Sequence, residues 1–199
     1  MTQIPLDPGV GGQCITQEKL ETADIIVSTT NASVSGLIRA GTRSVVSHAI
    51  LYIGDGAVIE AIGEGVVRRQ LSEAISDARL AVAYRHMLMN PSRAGIVVSH
   101  ASSFIGRAYD TRGAAGAGLA DQPLLGCFAV GGLILTGACS AARNGSFDNT
   151  DAFFCSELVF EAFRLGGVPI GDRRSDTALP KHIPEAYGRR QLQYVGHLR

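Results

Sequence analysis

An α+β fold is predicted by three observations. Apolar runs of strand length between Ser47 and Gln70 are separated by Gly54-Asp55-Gly56 and Gly63-Glu64-Gly65, which are turn signals. Two longer segments, 91–105 and 151–165, carry helical patterning, the first with Pro91 at its start and the second closed by Gly166-Gly167. The chain of 199 residues is 46% hydrophobic and 18% charged, which suits a packed single domain over 1–199 and excludes a chain that stays unfolded. The expected architecture is a small antiparallel sheet or half-barrel packed against the helix that contains Cys155.

In chain order, Asp24–Thr30 is rich in β-branched residues and reads as a buried strand, with a short helix at 35–40 after it. Residues 47–53, 57–62 and 66–70 then form a three-stranded meander. Leu71–Ala78 reads as a helix, Leu80–His86 as a strand and 91–105 as a longer helix. From Gly113 to Gly145 the chain turns to Gly and Ala with few charges, which marks an insertion in the framework. Order resumes with the helix over 151–165, whose Leu158, Ala162 and Leu165 share a face. A short helix at 180–187 and a last strand at 191–197 complete the pattern.

Charge and composition remove several classes of function. The 18 basic residues balance 18 acidic ones, and the basic residues cluster no more densely than pairs such as Arg68-Arg69, so nucleic acid is not an expected partner. Cys14, Cys127, Cys139 and Cys155 contain no CxxC pair, and His86, His100, His182 and His197 show no ligand spacing, so neither a zinc site nor another metal is expected. A bridge between Cys127 and Cys139 stays open. The Gly-rich stretch 113–118 lacks the Lys-Ser/Thr of a phosphate loop, so no nucleotide cofactor is expected. Residues 1–20 lack the basic and apolar regions of a secretory leader, and synthesis as a cytoplasmic protein is the expectation. The uncharged segment 122–142 is long, but Pro123 and four glycines interrupt it. It reads as a buried or interfacial segment, and 123–142 is where membrane contact is expected if there is any.

Three residues carry the candidate chemistry. Cys155 lies near the start of the 151–165 helix, where free amides and the helix dipole stabilise a thiolate, although a free cysteine after the apolar approach Phe153-Phe154 is also a common core residue. His48 opens one strand of the meander, and Glu60 lies among apolar neighbours on the next, where a carboxylate needs a partner. If the turn is Gly54-Asp55-Gly56, His48 faces Ile62 and Glu60 is its diagonal neighbour on the same sheet face; a two-residue turn would send Glu60 to the opposite face. A thiol at a helix start, an imidazole base and a carboxylate acceptor are the components of a cysteine hydrolase.

The segments Ala23-Asp-Ile-Ile-Val27, Ser47-His-Ala-Ile-Leu-Tyr-Ile-Gly54, Val58-Ile-Glu-Ala61, Gly106-Arg-Ala-Tyr-Asp110 and Phe154-Cys-Ser-Glu-Leu158 resemble the circularly permuted NlpC/P60 cysteine hydrolases of papain-like fold, in particular the YiiX/YebB-like branch, with lecithin retinol acyltransferase more distant. The likeness covers roughly 23–110 and 150–168. It implies Cys155 as nucleophile, His48 as base and Glu60 as the orienting third member, with the histidine ahead of the cysteine in the chain. Tyr109 falls in the family's Tyr-Asp motif. Ala23 replaces the family's usual Gly, and the 113–145 insertion is a second departure. The resemblance implies cleavage of an amide in bacterial cell-wall peptide, through an acyl-enzyme and without a cofactor. Such an enzyme would need a dedicated export route, for instance as an antibacterial effector with a cognate immunity protein. A membrane-lipid acyltransferase, thioesterase or lipid hydrolase is the alternative, and a non-catalytic binding module is the third reading.

Overall fold

The computed structural model describes residues 12–29, 45–111, 114 and 152–198. The expected helix at 35–40, the 113–145 insertion apart from residue 114, its apolar run, and Cys127 and Cys139 lie outside the described residues. Among the described residues, nine strands run in chain order as β1 (Cys14–Ile15), β2 (Ile25–Thr29), β3 (His48–Gly54), β4 (Ala57–Ile62), β5 (Gly65–Gln70), β6 (Leu80–His86), β7 (Ala108–Tyr109), β8 (Ala152–Phe153) and β9 (Leu192–Leu198). The helices are α1 (Leu71–Ala74), α2 (Pro91–Ser103), α3 (Cys155–Leu165) and α4 (His182–Gly188). Among the described residues, no helix is long and apolar enough to cross a membrane.

Seven strands form one sheet in the order β1-β9-β6-β2-β3-β4-β5, antiparallel at every step except β1 with β9. The meander is therefore β3-β4-β5. Continuous apolar runs in β2 and β3 follow from burial on both faces, because a strand with two covered sides has no position left for a polar alternation. Val27, Leu51, Ile59 and Val82 pack with Val97 of α2 and Leu158 and Phe163 of α3. Ile26, Ile50, Tyr52 and Val58 form a second cluster with Leu71 and Ala74 of α1.

Helix α2 begins as its sequence dictates, with Pro91 in the first turn and the Asn90 side chain accepting the Arg93 N–H at 2.9 Å. Helix α3 departs from the amphipathic expectation. Every residue from Cys155 to Phe160 is buried, as are Ala162 and Phe163, while Leu165, expected on the inner face, is 38% exposed. The helix is a core element gripped on several sides, so its apolar residues fill most of its circumference instead of one stripe. The helix predicted at 71–78 is also shorter, ending at Ala74.

Three two-residue strands lay below the reach of sequence pattern. Of these, β7 and β8 pair in parallel, Ala108 with Ala152 and Tyr109 with Phe153. This small ladder delivers the chain into α3. Phe153 is clamped there, its ring 4.5 Å from that of Phe104, and the Arg107 guanidinium lies over both rings. The same loop is tied to the sheet edge, because the Val66 N–H donates to the Arg107 carbonyl at 2.9 Å. Gly65, at φ 112°, makes that approach possible: a Cβ there would stand 2.4 Å from the Arg107 carbonyl oxygen.

Candidate active site

The turn between β3 and β4 decides where Glu60 points. Gly54 pairs with Ala57, so the loop itself holds two residues, Asp55 and Gly56, both at positive φ. Tyr52 pairs with Val58, which leaves Ile53 as an extra residue on β3. This bulge shifts the ladder back by one position, so that Leu51 opposes Ile59 and Glu60 lies one diagonal step from His48. The two-residue turn and the same-face geometry thus coexist, an outcome the two sequence alternatives had treated as exclusive.

The consequence is a direct contact. His48 Nε2 and Glu60 Oε2 are 2.6 Å apart, and Glu60 is only 1% exposed. On the next strand Val58 pairs with Arg69 and Glu60 with Val67, so Arg69 is the diagonal neighbour of Glu60 in turn. Its Nη1 donates to Glu60 Oε1 at 3.0 Å. Each oxygen of a buried carboxylate therefore has its own donor.

Cys155 is the first residue of α3 and is 3% exposed. Glu157, three residues past the N-cap Phe154, accepts the Phe154 N–H at 3.2 Å, and the Ser156 hydroxyl donates to the Ala178 carbonyl at 2.8 Å. These contacts fix the helix start. With Nε2 of His48 committed to Glu60, the other ring nitrogen is the one left to meet the Cys155 thiol, and the two side chains are hydrogen-bonded.

The electrostatics follow from this arrangement. Burial pushes the Cys155 thiol up, but the hydrogen bond and charge of His48, with the N–H groups of Ala49 and Ser156, outweigh it and hold the thiol below its ordinary value. Burial opposes the His48 imidazolium, yet its hydrogen bonds and charge interactions with Cys155 and Glu60 raise it to about 10. Tyr109 also faces this cluster: burial, and then the charge of Cys155, push its hydroxyl above the usual range for a phenol.

The structure thus brings together all three residues singled out in the sequence. It adds Arg69 and the Ala49 N–H, which sequence reasoning passed over. Among the described residues, no group of three or more His, Cys, Asp or Glu side chains is arranged to hold a metal.

Comparison with known proteins bears on the fold. No family model matches the chain. The chain is 27% identical to the "Probable lipoprotein peptidase YaeF" of Escherichia coli K12, over 93% of this chain and 73% of that protein. Among solved structures it is similar to the metalloprotein YiiX of Escherichia coli O157:H7, with a TM-score of 0.53 at 18% identity, covering 90% of this chain and 88% of that one. The chain shares the mixed α+β fold of YiiX, built on a mostly antiparallel sheet.

Proposed function

We propose that this protein is a cysteine peptidase or amidase of papain-like, permuted NlpC/P60 type, with Cys155 as nucleophile, His48 as general base and acid, and Glu60 as orienting group. The observation that carries the reading is the position of His48, hydrogen-bonded at once to a thiol on the first turn of a helix and to a buried carboxylate. The name of the YaeF relative, a probable peptidase, supports the same class.

In this reading the Cys155 thiolate attacks the carbonyl carbon of an amide. The negative charge moves from sulfur to the carbonyl oxygen, and first-turn amides of α3 receive it. Collapse of this intermediate breaks the C–N bond, and the His48 imidazolium gives its proton to the departing amine. A water, deprotonated by the now neutral His48, attacks the thioester and returns the thiol pair to its starting state. Glu60 keeps the ring oriented throughout.

The substrate we propose is an amide in bacterial cell-wall peptide, reached by dedicated export, with an immunity protein as the partner that protects the producing cell. The test is expression of the wild type and of Cys155→Ala in the periplasm of a Gram-negative host, together with incubation on purified wall and on labelled lipids. Lysis and altered wall fragments with the wild type alone are expected. Turnover of lipid with no change in the wall would overturn the substrate, and equal effects of both proteins would overturn the enzyme reading.

A further inference from the structure

Arg69 belongs to the same row of side chains as the proposed nucleophile pair, yet no chemical role has been given to it. His48 on β3, Glu60 on β4 and Arg69 on β5 are linked by successive diagonal steps across three strands. The contacts follow the same line, 2.6 Å from His48 to Glu60 and 3.0 Å from Glu60 to Arg69. Its sequence neighbour Arg68 opposes Ile59 and so projects from the other face.

The charges along this row alternate. When Cys155 is a thiolate and His48 an imidazolium, the order is anion, cation, anion, cation. Without Arg69 the buried row would hold one anion in excess, and a buried unbalanced charge draws in a proton. That proton would go to the row at the expense of the thiolate. The contacts also divide the task, because Arg69 Nη1 holds Glu60 Oε1 while Glu60 Oε2 faces His48. Arg69 is 34% exposed, so water weakens its field without removing it.

Deepening the peptidase reading on which it rests, we infer that Arg69 is a positioning residue: it clamps Glu60 against His48 and supplies the cation that lets Cys155 persist as a thiolate. The substrate does not touch it. Its loss acts through Glu60 and His48 on the reactivity of sulfur.

The test is the pH dependence of iodoacetamide alkylation at Cys155, followed peptide by peptide by mass spectrometry so that Cys14 and the other thiols are read separately. The proteins are the wild type, His48→Ala, Arg69→Met, Arg69→Gln and Arg69→Lys, with a melting curve for each. Arg69→Gln keeps a donor for Glu60 without the charge, and it carries the test if Arg69→Met does not fold. The midpoint is expected to rise by about half a pH unit or more in Arg69→Met and Arg69→Gln, less than the effect of a directly adjacent charge. Arg69→Lys should return most of the way to the wild type. Folded Arg69→Gln with a wild-type midpoint would overturn the role of Arg69 alone. A wild type whose Cys155 reacts like an ordinary thiol, with or without His48, would overturn the nucleophile reading itself.

Discussion

His48 Nε2 lies 2.6 Å from Glu60 Oε2 although the ladder pairs neither residue with the other; an extra residue at Ile53 creates the contact by sliding β3 one place along β4. The orienting group of the proposed site thus depends on a bulge in the hairpin. Glu60→Gln keeps the size of the side chain and removes its charge. The expected outcome is a fall in kcat/KM of about 10²- to 10⁴-fold with the fold retained, the range set by loss of a base or of its orientation. Steady-state kinetics on wall peptide, beside a melting curve, provide the check.

The pH profile of acylation should be bell-shaped. On the acid side the rate falls as the Cys155 thiolate takes up a proton, and the thiol is held below its ordinary value. On the alkaline side it falls near pH 10, where His48 loses the proton destined for the leaving amine. Pre-steady-state measurement of acyl-enzyme formation between these limits tests both limbs. A rate that climbs steadily through the ordinary thiol range of about 8.5 would contradict the paired arrangement.

Stability should depend on pH through His86. Burial, with the charge of Arg93, lowers the His86 imidazolium below its ordinary 6.5 despite a hydrogen bond with the Pro169 backbone, while its Nδ1 accepts the Leu88 N–H at 3.2 Å. Below pH 6.5 the unfolded chain therefore binds a proton that the folded one resists, and stability drops as the pH falls. Melting temperatures from pH 5 to 8 should decline toward acid in the wild type and decline less steeply in His86→Asn.

Tyr84 offers a test of packing away from the site. Its ring is fully buried between Tyr187 and Tyr194, and among the described residues its hydroxyl meets no hydrogen-bond partner. A buried donor left alone costs about 1–3 kcal/mol, so Tyr84→Phe should hold or raise stability, by about 1 kcal/mol. Denaturant unfolding measures this. A loss of that size would mean that the hydroxyl is satisfied in solution.

Much of this arrangement is legible in the sequence. The β-branched residues of β2, the Gly-flanked turns of the meander and Pro91 before α2 are local signals, and the elements follow them within a few residues. The two-residue strands β1, β7 and β8 carry no periodicity of their own and exist through their neighbours. Helix α3 misled as an amphipathic pattern because burial on most sides removes the contrast such a pattern needs. The diagonal from His48 to Glu60 was visible as one of two alternatives, since bulge and turn compensate each other. Arg69 could have been placed by continuing the pairing through Gly63-Glu64, which fixes Val67 opposite Glu60. The sequence alone does not single it out, because adjacent arginines look like solvated surface until the register assigns them to opposite faces.

The row His48, Glu60, Arg69 is drawn from one unbroken meander, whereas Cys155 arrives from far along the chain on a helix that must be enclosed before it is stable. During synthesis the base and its supports can assemble from local hairpins while the thiol has yet to be made. In the proposed site the sulfur gains its activating contacts with His48 and the Ala49 N–H only when α3 docks beside β3. The reactivity proposed for Cys155 is thereby tied to the docking of α3, and a copy with α3 undocked would carry an ordinary thiol.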